Sequence, residues 1–397
     1  MPWKTLSLIK LRGQLIEALL ARRCRVEDLC DHYGISRKTA YKWFQRFRER
    51  GLTGLQDQSR RPRRSRTRLS ARWRQAIERL RRARPHWGAK KIWQQLRRQH
   101  PRRRLPCVRT IHRCLRRGGW LRPHPKRARR GPAVAPPGLT AAHWPNHVWT
   151  VDFKGWFRTT DGVRQEPLVV RDLFSRYGLC LRLLPNQEDQ AVRVAMGRLF
   201  AARGLPRVIR VDNGSPFGGT GALGLSRLSV WWLRLGLRVE FTRRARPGDN
   251  AAHEQFNGCY KREVVAAGGP QRQWLQSRSS RWLRHYNFER PHEALQGRPP
   301  AEVYRPSRRI YTRDLPPLRY PPAWTVRRVR NRGHIKFHGR LRFVGRAFVG
   351  QTIGLKALAP GIAAAYLGKL LIGEVHQKDA GGMRPAHWRR RQDQLKM

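Results

Sequence analysis

Acidic residues are the scarcest chemically active class in this 397-residue chain: 25 Asp and Glu stand against 86 Lys and Arg, a formal net charge of +61. Between Asp57 and Asp152 the only carboxylate is Glu78. A field of one sign on this scale repels itself, so it demands a polyanionic partner. Long apolar runs are also missing. No stretch approaches the ~18 residues of a membrane-spanning helix, which excludes a bilayer span. Met1-Pro2-Trp3-Lys4 leads into an amphipathic pattern, where a signal peptide would need an apolar run. A cytoplasmic, nucleoid-associated protein is expected, with nucleic acid as partner. Cysteine is sparse and scattered: Cys24, Cys30, Cys107, Cys114, Cys180 and Cys259 form no Cys-x-x-Cys pair. Cys107 and Cys114 flank His112, but no second ligand pair has a zinc spacing, so reduced structural thiols are expected. What is present, 39% hydrophobic content with 15 Trp, supports real cores and excludes a disordered tail protein.

A chain this long suits three or four domains. Leu8, Leu11, Leu15 and Leu19 recur at helical spacing. The stretch from Arg25 to Trp43 then reads as a helix, a tight turn at Gly34 and a second helix capped by Ser36. Cys30, Ile35, Ala40 and Trp43 fall where two such helices pack. Arg37, Lys38, Tyr41, Lys42 and Gln45 are left exposed, a set suited to phosphates and major-groove edges. The bland alternative is a helical hairpin with a solvated basic face. A loop containing Gly51, Gly54 and Arg60-Arg61-Pro62 leads to a second helical unit. It holds an Arg-rich helix over 71–84, a short helix opened by Trp87-Gly88-Ala89-Lys90-Lys91-Ile92, and a helix over 108–117. Arg109 and Arg113 make the last a second recognition surface.

From Val148 the pattern changes. Strands over 148–153, 167–173 and 178–184 precede a helix over 189–203, a strand over 207–212, a helix over 225–235, a strand over 238–241 and a helix over 250–265. That order predicts a mixed five-stranded sheet flanked by helices. Another helix, 271–286, is stopped by Pro291. Short alternating runs punctuated by glycines over 325–376 predict a small β-barrel. The expected domains are a helix-turn-helix unit (1–60), a second helical DNA-binding unit (65–120), a basic Pro-rich linker (121–145), an α/β catalytic core (146–310), a small SH3-like barrel (320–378) and a basic tail (379–397).

Three carboxylates stand in pointed contexts. Asp152 ends the β-prone run from His147, and Asp212 ends the run Val208 to Val211 before Asn213-Gly214 breaks it. Glu254 lies on the helix opened by Pro247-Gly248-Asp249-Asn250. In a mixed sheet, strand-end carboxylates converge with one on an adjacent helix, where a site belongs. Phosphodiester cleavage needs an activated oxygen nucleophile, an electrophilic phosphorus and charge relief on the leaving oxygen. Two divalent ions about 3.5–4 Å apart supply all three. Mg²⁺ or Mn²⁺ takes a few hard oxygen ligands, so Asp152, Asp212 and Glu254 are the candidate catalytic and metal-binding residues. Asp172, before Ser175-Arg176, is expected to pair locally, Asp249 to serve its turn, and Glu240 to be solvated on an edge-like strand. His253 either orients a carboxylate, contacts DNA or simply packs. Lys261, two helical turns after Glu254, either holds a phosphate or is one more surface lysine.

The ordered set of motifs resembles the DDE transposases of bacterial insertion sequences, in the branch related to retroviral integrases. The residues that carry the likeness are Trp149-Thr150-Val151-Asp152-Phe153-Lys154-Gly155, Val211-Asp212-Asn213-Gly214, and Pro247-Gly248-Asp249-Asn250 with His253-Glu254. Ile35-Ser36-Arg37-Lys38-Thr39, Trp87-Gly88-Ala89-Lys90-Lys91 and Asn287…Arg290-Pro291-His292 extend it over nearly the whole chain. The resemblance implies an RNase H-like core using two Mg²⁺ or Mn²⁺ ions, with Asp152 bridging them and Asp212 and Glu254 flanking. It implies double-stranded DNA with terminal inverted repeats as substrate, cleavage that exposes a 3′-OH, joining to target DNA, and a homo-oligomer on DNA. The carboxylates are 60 and 42 positions apart; the second gap exceeds the integrase-type spacing, and Gly218–Leu225 accounts for the excess as an inserted loop. Ala251 departs from a common Asn-Gly pair, and Gly258 inside the helix costs about 1 kcal/mol. Two rivals are a DNA-binding regulator with an inert core and a nuclease that cuts without joining.

Overall fold

The computed structural model describes residues 7–58, 69–121, 138–243 and 251–386. Most of the expected linker, the Arg60-Arg61-Pro62 loop, the Asp249 turn and the end of the basic tail lie outside the described residues. Internal contacts divide the chain into two units, Met1–Leu69 and Ser70–Met397. No helix of the described residues is long and apolar enough to cross a membrane.

The first unit holds α1 (Leu8–Ala21), α2 (Val26–Tyr33) and α3 (Arg37–Arg50). Gly34 closes α2 in the left-handed region at φ 59°, with its N–H bonded to the carbonyls of Cys30 and Asp31. A side chain there would cost roughly 1–2 kcal/mol. Ser36 caps α3 by accepting from the Thr39 N–H at 3.3 Å. Leu15, Leu29, Cys30 and Ala40 make one small apolar cluster, and Ile16, Trp43 and Leu55 another. The helix-turn-helix expected from the sequence is present.

The second unit opens with α4 (Ala71–Ala83), α5 (Ala89–Gln99) and α6 (Val108–Arg117). There follow β1 (Val148–Phe153), β2 (Phe157–Arg158), β3 (Arg164–Asp172), β4 (Gly178–Leu184), α7 (Asp189–Arg203), β5 (Val208–Val211), α8 (Arg227–Arg234) and β6 (Arg238–Phe241). Then come α9 (Ala251–Glu263), α10 (Arg272–Phe288) and α11 (Pro300–Val303). β1 is central, antiparallel to β3 on one side and parallel to β5 on the other; β6 runs parallel beyond β5. β4 lies along the far edge of β3, and the two-residue β2 adds a pair the sequence did not suggest. The sheet is mixed, as expected.

Side-chain alternation divides the core between the faces of this sheet. Leu168 and Val170 of β3 join Trp149, Phe200, Trp231 and Trp232 on the side of α7 and α8. Val169, between them, joins Leu181, Phe256, Tyr260 and Trp282 on the side of α9 and α10. A side chain fully buried this way contributes about 1.5–3 kcal/mol. The end of α4 and α5 dock on this body through ion pairs, Arg84–Glu289 at 2.6 Å, Lys90–Glu293 at 2.8 Å and Arg98–Glu302 at 2.6 Å.

The C-terminal region contains β7 (Thr325–Arg328), β8 (His334–Phe337), β9 (Arg340–Phe343), β10 (Thr352–Ala359), β11 (Ile362–Leu367), β12 (Leu370–His376) and β13 (Arg384–Pro385). It corrects one expectation. The strands form an open sheet, β13-β12-β11-β10-β7, with β8 and β9 paired as a separate hairpin. Among the described residues no ladder joins β7 to β13, so the small barrel expected over 320–378 does not close. The physical reason lies in the apolar face. Ile353, Leu355, Phe348 and Val375 belong to the same buried cluster as Trp231 and Trp232, so this sheet buries its face against the α/β body.

Candidate active site

The β1–β5 register builds the site. It sets Thr150 beside Arg210, which carries Asp152 and Asp212 to the same level on neighbouring parallel strands, about 4.8 Å apart. Asp152 is still inside the ladder, opposite Val169 of β3. Asp212 lies one residue past β5 and accepts from the Gly214 N–H at 3.2 Å. Asn213 ties the turn down by donating to the Thr242 carbonyl at 2.5 Å. The third carboxylate arrives on α9, which Phe256 and Tyr260 anchor in the core. His253 is fully buried, with Nδ1 at 3.0 Å from the Thr150 hydroxyl. Asn257 donates to Asp152 Oδ2 at 3.4 Å. Glu254 lies between these two contacts in the chain, with its side chain exposed.

The electrostatics follow from that placement. Burial pushes the Asp152 carboxyl up to about 7, and the charges of Asp212 and Glu254 push in the same direction. Partial burial raises Asp212 as well, against the opposing Gly214 N–H. The three carboxylates therefore share one field, although among the described residues no three His, Cys, Asp or Glu side chains close around a single ion. The donor set consists of hard oxygens, the kind Mg²⁺ and Mn²⁺ take. Beside Asp152, the Asn257 Oδ1 is buried without a hydrogen-bond partner. A crowded, desolvated carboxylate next to an orphaned amide oxygen fits a divalent cation by chemistry.

Two lysines flank this field. Burial lowers the Lys154 pKa, and the charge of Lys261 lowers it further, so α9 brings Lys261 close to β1. Lys154 was not singled out from the sequence, although it lies two residues after Asp152. Asn257 was also missed; its signal is the three-residue helical step from Glu254. On α3, Arg37, Lys38, Tyr41, Lys42 and Gln45 are all exposed. Arg37 pairs with Glu27, Gln45 donates to Glu49 at 3.1 Å, and the Lys42 ammonium lies 4.7 Å from the Trp43 ring. Arg109 and Arg113 are exposed on α6.

The other carboxylates have local work. Asp172 is fully buried and accepts from the Asn146 N–H at 2.7 Å, the Ser175 N–H at 2.7 Å and the Ser175 hydroxyl at 2.5 Å, as expected. Glu240 departs from expectation: it is buried, paired with Arg210 at 3.0 Å and bound by Thr140. Register explains the difference, because Arg210 stands directly opposite Glu240 in the β5–β6 ladder. The Asn287…Arg290 motif is structural. The Asn287 amide exchanges hydrogen bonds with the Gly178 backbone at 2.8 and 2.9 Å, and Arg290 holds Glu263 at 2.8 Å.

Comparisons with known proteins place several matches along the chain. A helix-turn-helix domain model matches residues 11–63, a homeodomain-like domain model 39–115, and an integrase core domain model 235–300, the segment that contains α9 and α10. An uncharacterized 31.7 kDa protein of insertion element IS407 from Burkholderia multivorans is 28% identical over 199 residues, 48% of this chain and 67% of that protein. An uncharacterized 39.2 kDa protein of insertion element IS476 from Xanthomonas euvesicatoria is 28% identical over 171 residues, 41% of this chain and 46% of its own length. Among solved structures, the HTLV-2 integrase catalytic core domain in complex with magnesium matches at 15% identity and a TM-score of 0.33, covering 42% of this chain and all of that one. The simian T-cell lymphotropic virus intasome matches at 15% identity and a TM-score of 0.36, over 78% of this chain and 99% of that one. The chain joins helix-turn-helix domains to an integrase core domain, and its relatives are insertion-element proteins.

Proposed function

We propose that the chain is a DDE-type DNA transposase that binds the inverted repeats at its element's ends and transfers their strands at Asp152, Asp212 and Glu254. The observation that carries this reading is the field those three carboxylates share, with Asp152 pushed up to about 7. In a protein of net charge +61, such a concentration of negative charge would repel DNA unless it holds cations. The three carboxylates would hold two Mg²⁺ or Mn²⁺ ions; when bound, these activate the attacking oxygen and relieve charge on the leaving one.

The chain's own residues do the remaining work. His253 and Asn257 act as positioning residues, fixing α9 and the Asp152 carboxylate. Lys154 and Lys261 receive phosphate beside the carboxylates. Arg37, Lys38, Tyr41, Lys42 and Gln45 on α3, with Arg109 and Arg113 on α6, contact DNA backbone and base edges. The reaction is two in-line displacements. In the first, a water oxygen bonds to phosphorus and the 3′-oxygen leaves as a hydroxyl. In the second, that 3′-oxygen bonds to a target phosphorus and a target 3′-oxygen departs. Residues 1–60 and 65–120 serve as the DNA-binding segments and 146–310 as the catalytic core. The C-terminal sheet grips DNA backbone or a neighbouring copy in a homo-oligomer.

Purified protein incubated with the DNA that flanks its gene and Mg²⁺ or Mn²⁺ tests the reading. Joined strands support it, and nicks alone mean a nuclease. Salt-sensitive binding with neither product means a regulator, the second reading, which the open arrangement of the three carboxylates favours.

A further inference from the structure

A cavity of about 950 Å³ lies apart from the carboxylates, where the first turns of α5 and α6 meet the loop after α10. Its lining is largely apolar, with Ala89, Trp93, Val108 and Pro291 in the wall, and the polar groups around it include Lys90, Lys91 and Arg109. The one carboxylate on its wall, Glu293, is held by Lys90 at 2.8 Å. Lys91 has the Glu263 carboxylate near it, but Arg290 already holds that carboxylate at 2.8 Å. Lys91 is half-buried, and the nearby Arg290 charge adds to the cost of keeping it protonated. An anion seated here would relieve Lys91 and Arg109. Trp93 is half-buried, and the Arg97 guanidinium lies 5.5 Å from its ring.

These features select among ligands. The volume is at the upper end of the ~300–1,000 Å³ typical of small-ligand pockets, enough for a base, its sugar and a phosphate. The cations call for phosphate, and an indole in the wall offers a flat apolar partner to a nucleobase. Paired DNA keeps its bases stacked and has none to place there; a nucleotide swung out of the stack does.

We propose that this cavity receives a single nucleotide unstacked from DNA, with its base against Trp93 and its phosphate between Lys91 and Arg109. The inference rests on the DNA-processing reading above and adds a site where a strand is held open during that processing. The cavity lies at the junction of the α4–α6 segment and the α/β body, so a nucleotide bound there would register the element end against both.

The test uses the full-length protein without divalent metal, so that strand cleavage plays no part. Two probes are titrated: a paired duplex, and the same duplex carrying one extrahelical 2-aminopurine. The expected result is about tenfold tighter binding of the bulged duplex, the scale of one base–aromatic stack, with quenching of 2-aminopurine fluorescence. Trp93→Ala should abolish both the preference and the quenching while changing paired-duplex affinity less than about twofold, and Trp93→Phe should retain most of the preference. Arg109→Gln, at an exposed position, should weaken the bulged complex more than the paired one, which keeps the test valid if Trp93→Ala misfolds. Equal affinity of the wild type for both probes overturns the proposal, as does a preference that survives both Trp93→Ala and Arg109→Gln. Failure to bind either duplex overturns the DNA-processing reading instead.

Discussion

Asp152 has the most displaced carboxyl of the three candidate carboxylates. Its carboxyl titrates at about 7 in the folded chain against an ordinary 3.8. Between those values the folded state holds a proton that the unfolded chain has released. The resulting stabilisation is complete below about pH 4 and is lost as pH rises through 7. Metal-free Asp152→Asn should therefore melt about 2–6 °C above wild type at pH 8 and level with it near pH 4. Mn²⁺ should raise the wild-type melting temperature and leave the variant's nearly unchanged. Equal melting of the two metal-free proteins at pH 8 would mean that burial and the neighbouring carboxylates do not raise the Asp152 carboxyl. The elements that carry the three carboxylates, β1, the end of β5 and α9, were legible in the sequence, because β-branched runs mark strand ends and the Pro-Gly turn marks a helix start. The burial of Glu240 was not, since it depends on Arg210 standing opposite in the β5–β6 ladder.

Elements were the most legible level. The helix-turn-helix could be read from the pairing of Gly34 with Ser36, and the structure uses both as a C-terminal stop and an N-terminal cap. Ser36→Ala should cost the first unit about 0.5–2 kcal/mol and weaken specific DNA binding through a frayed α3, as read by chemical denaturation and duplex titration. Undiminished stability would assign the start of α3 to packing alone. The open C-terminal sheet marks the limit of such reading. Alternation and glycine spacing announce strands but not the surface their apolar face will cover. Here Ile353 and Leu355 joined the cluster of Trp231 and Trp232, and a pairing pattern read from one segment contains no trace of that distant partner. His253 could be read from the sequence as orienting a carboxylate, contacting DNA or packing, and its buried contact with Thr150 ties α9 to β1.

At the scale of the whole molecule, charge dominates. A net charge of +61 predicts DNA affinity set largely by counterion release. Binding should weaken by about a thousandfold or more between ~50 and ~200 mM salt, as for a protein that contacts six or more phosphates. A shallow salt dependence would mean that most of the basic surface stays off the DNA. The same charge makes the acidic site conspicuous, because three carboxylates in one field oppose everything around them.

The most direct measurement compares wild type with Asp152→Asn, Asp212→Asn and Glu254→Gln in a Mn²⁺-dependent strand-joining assay on DNA from the ends of the element. Circular dichroism and paired-duplex binding confirm that each variant is folded. The account predicts joined strands for wild type and none for any of the three variants, all of which still bind DNA. Normal joining by folded Asp212→Asn would contradict it.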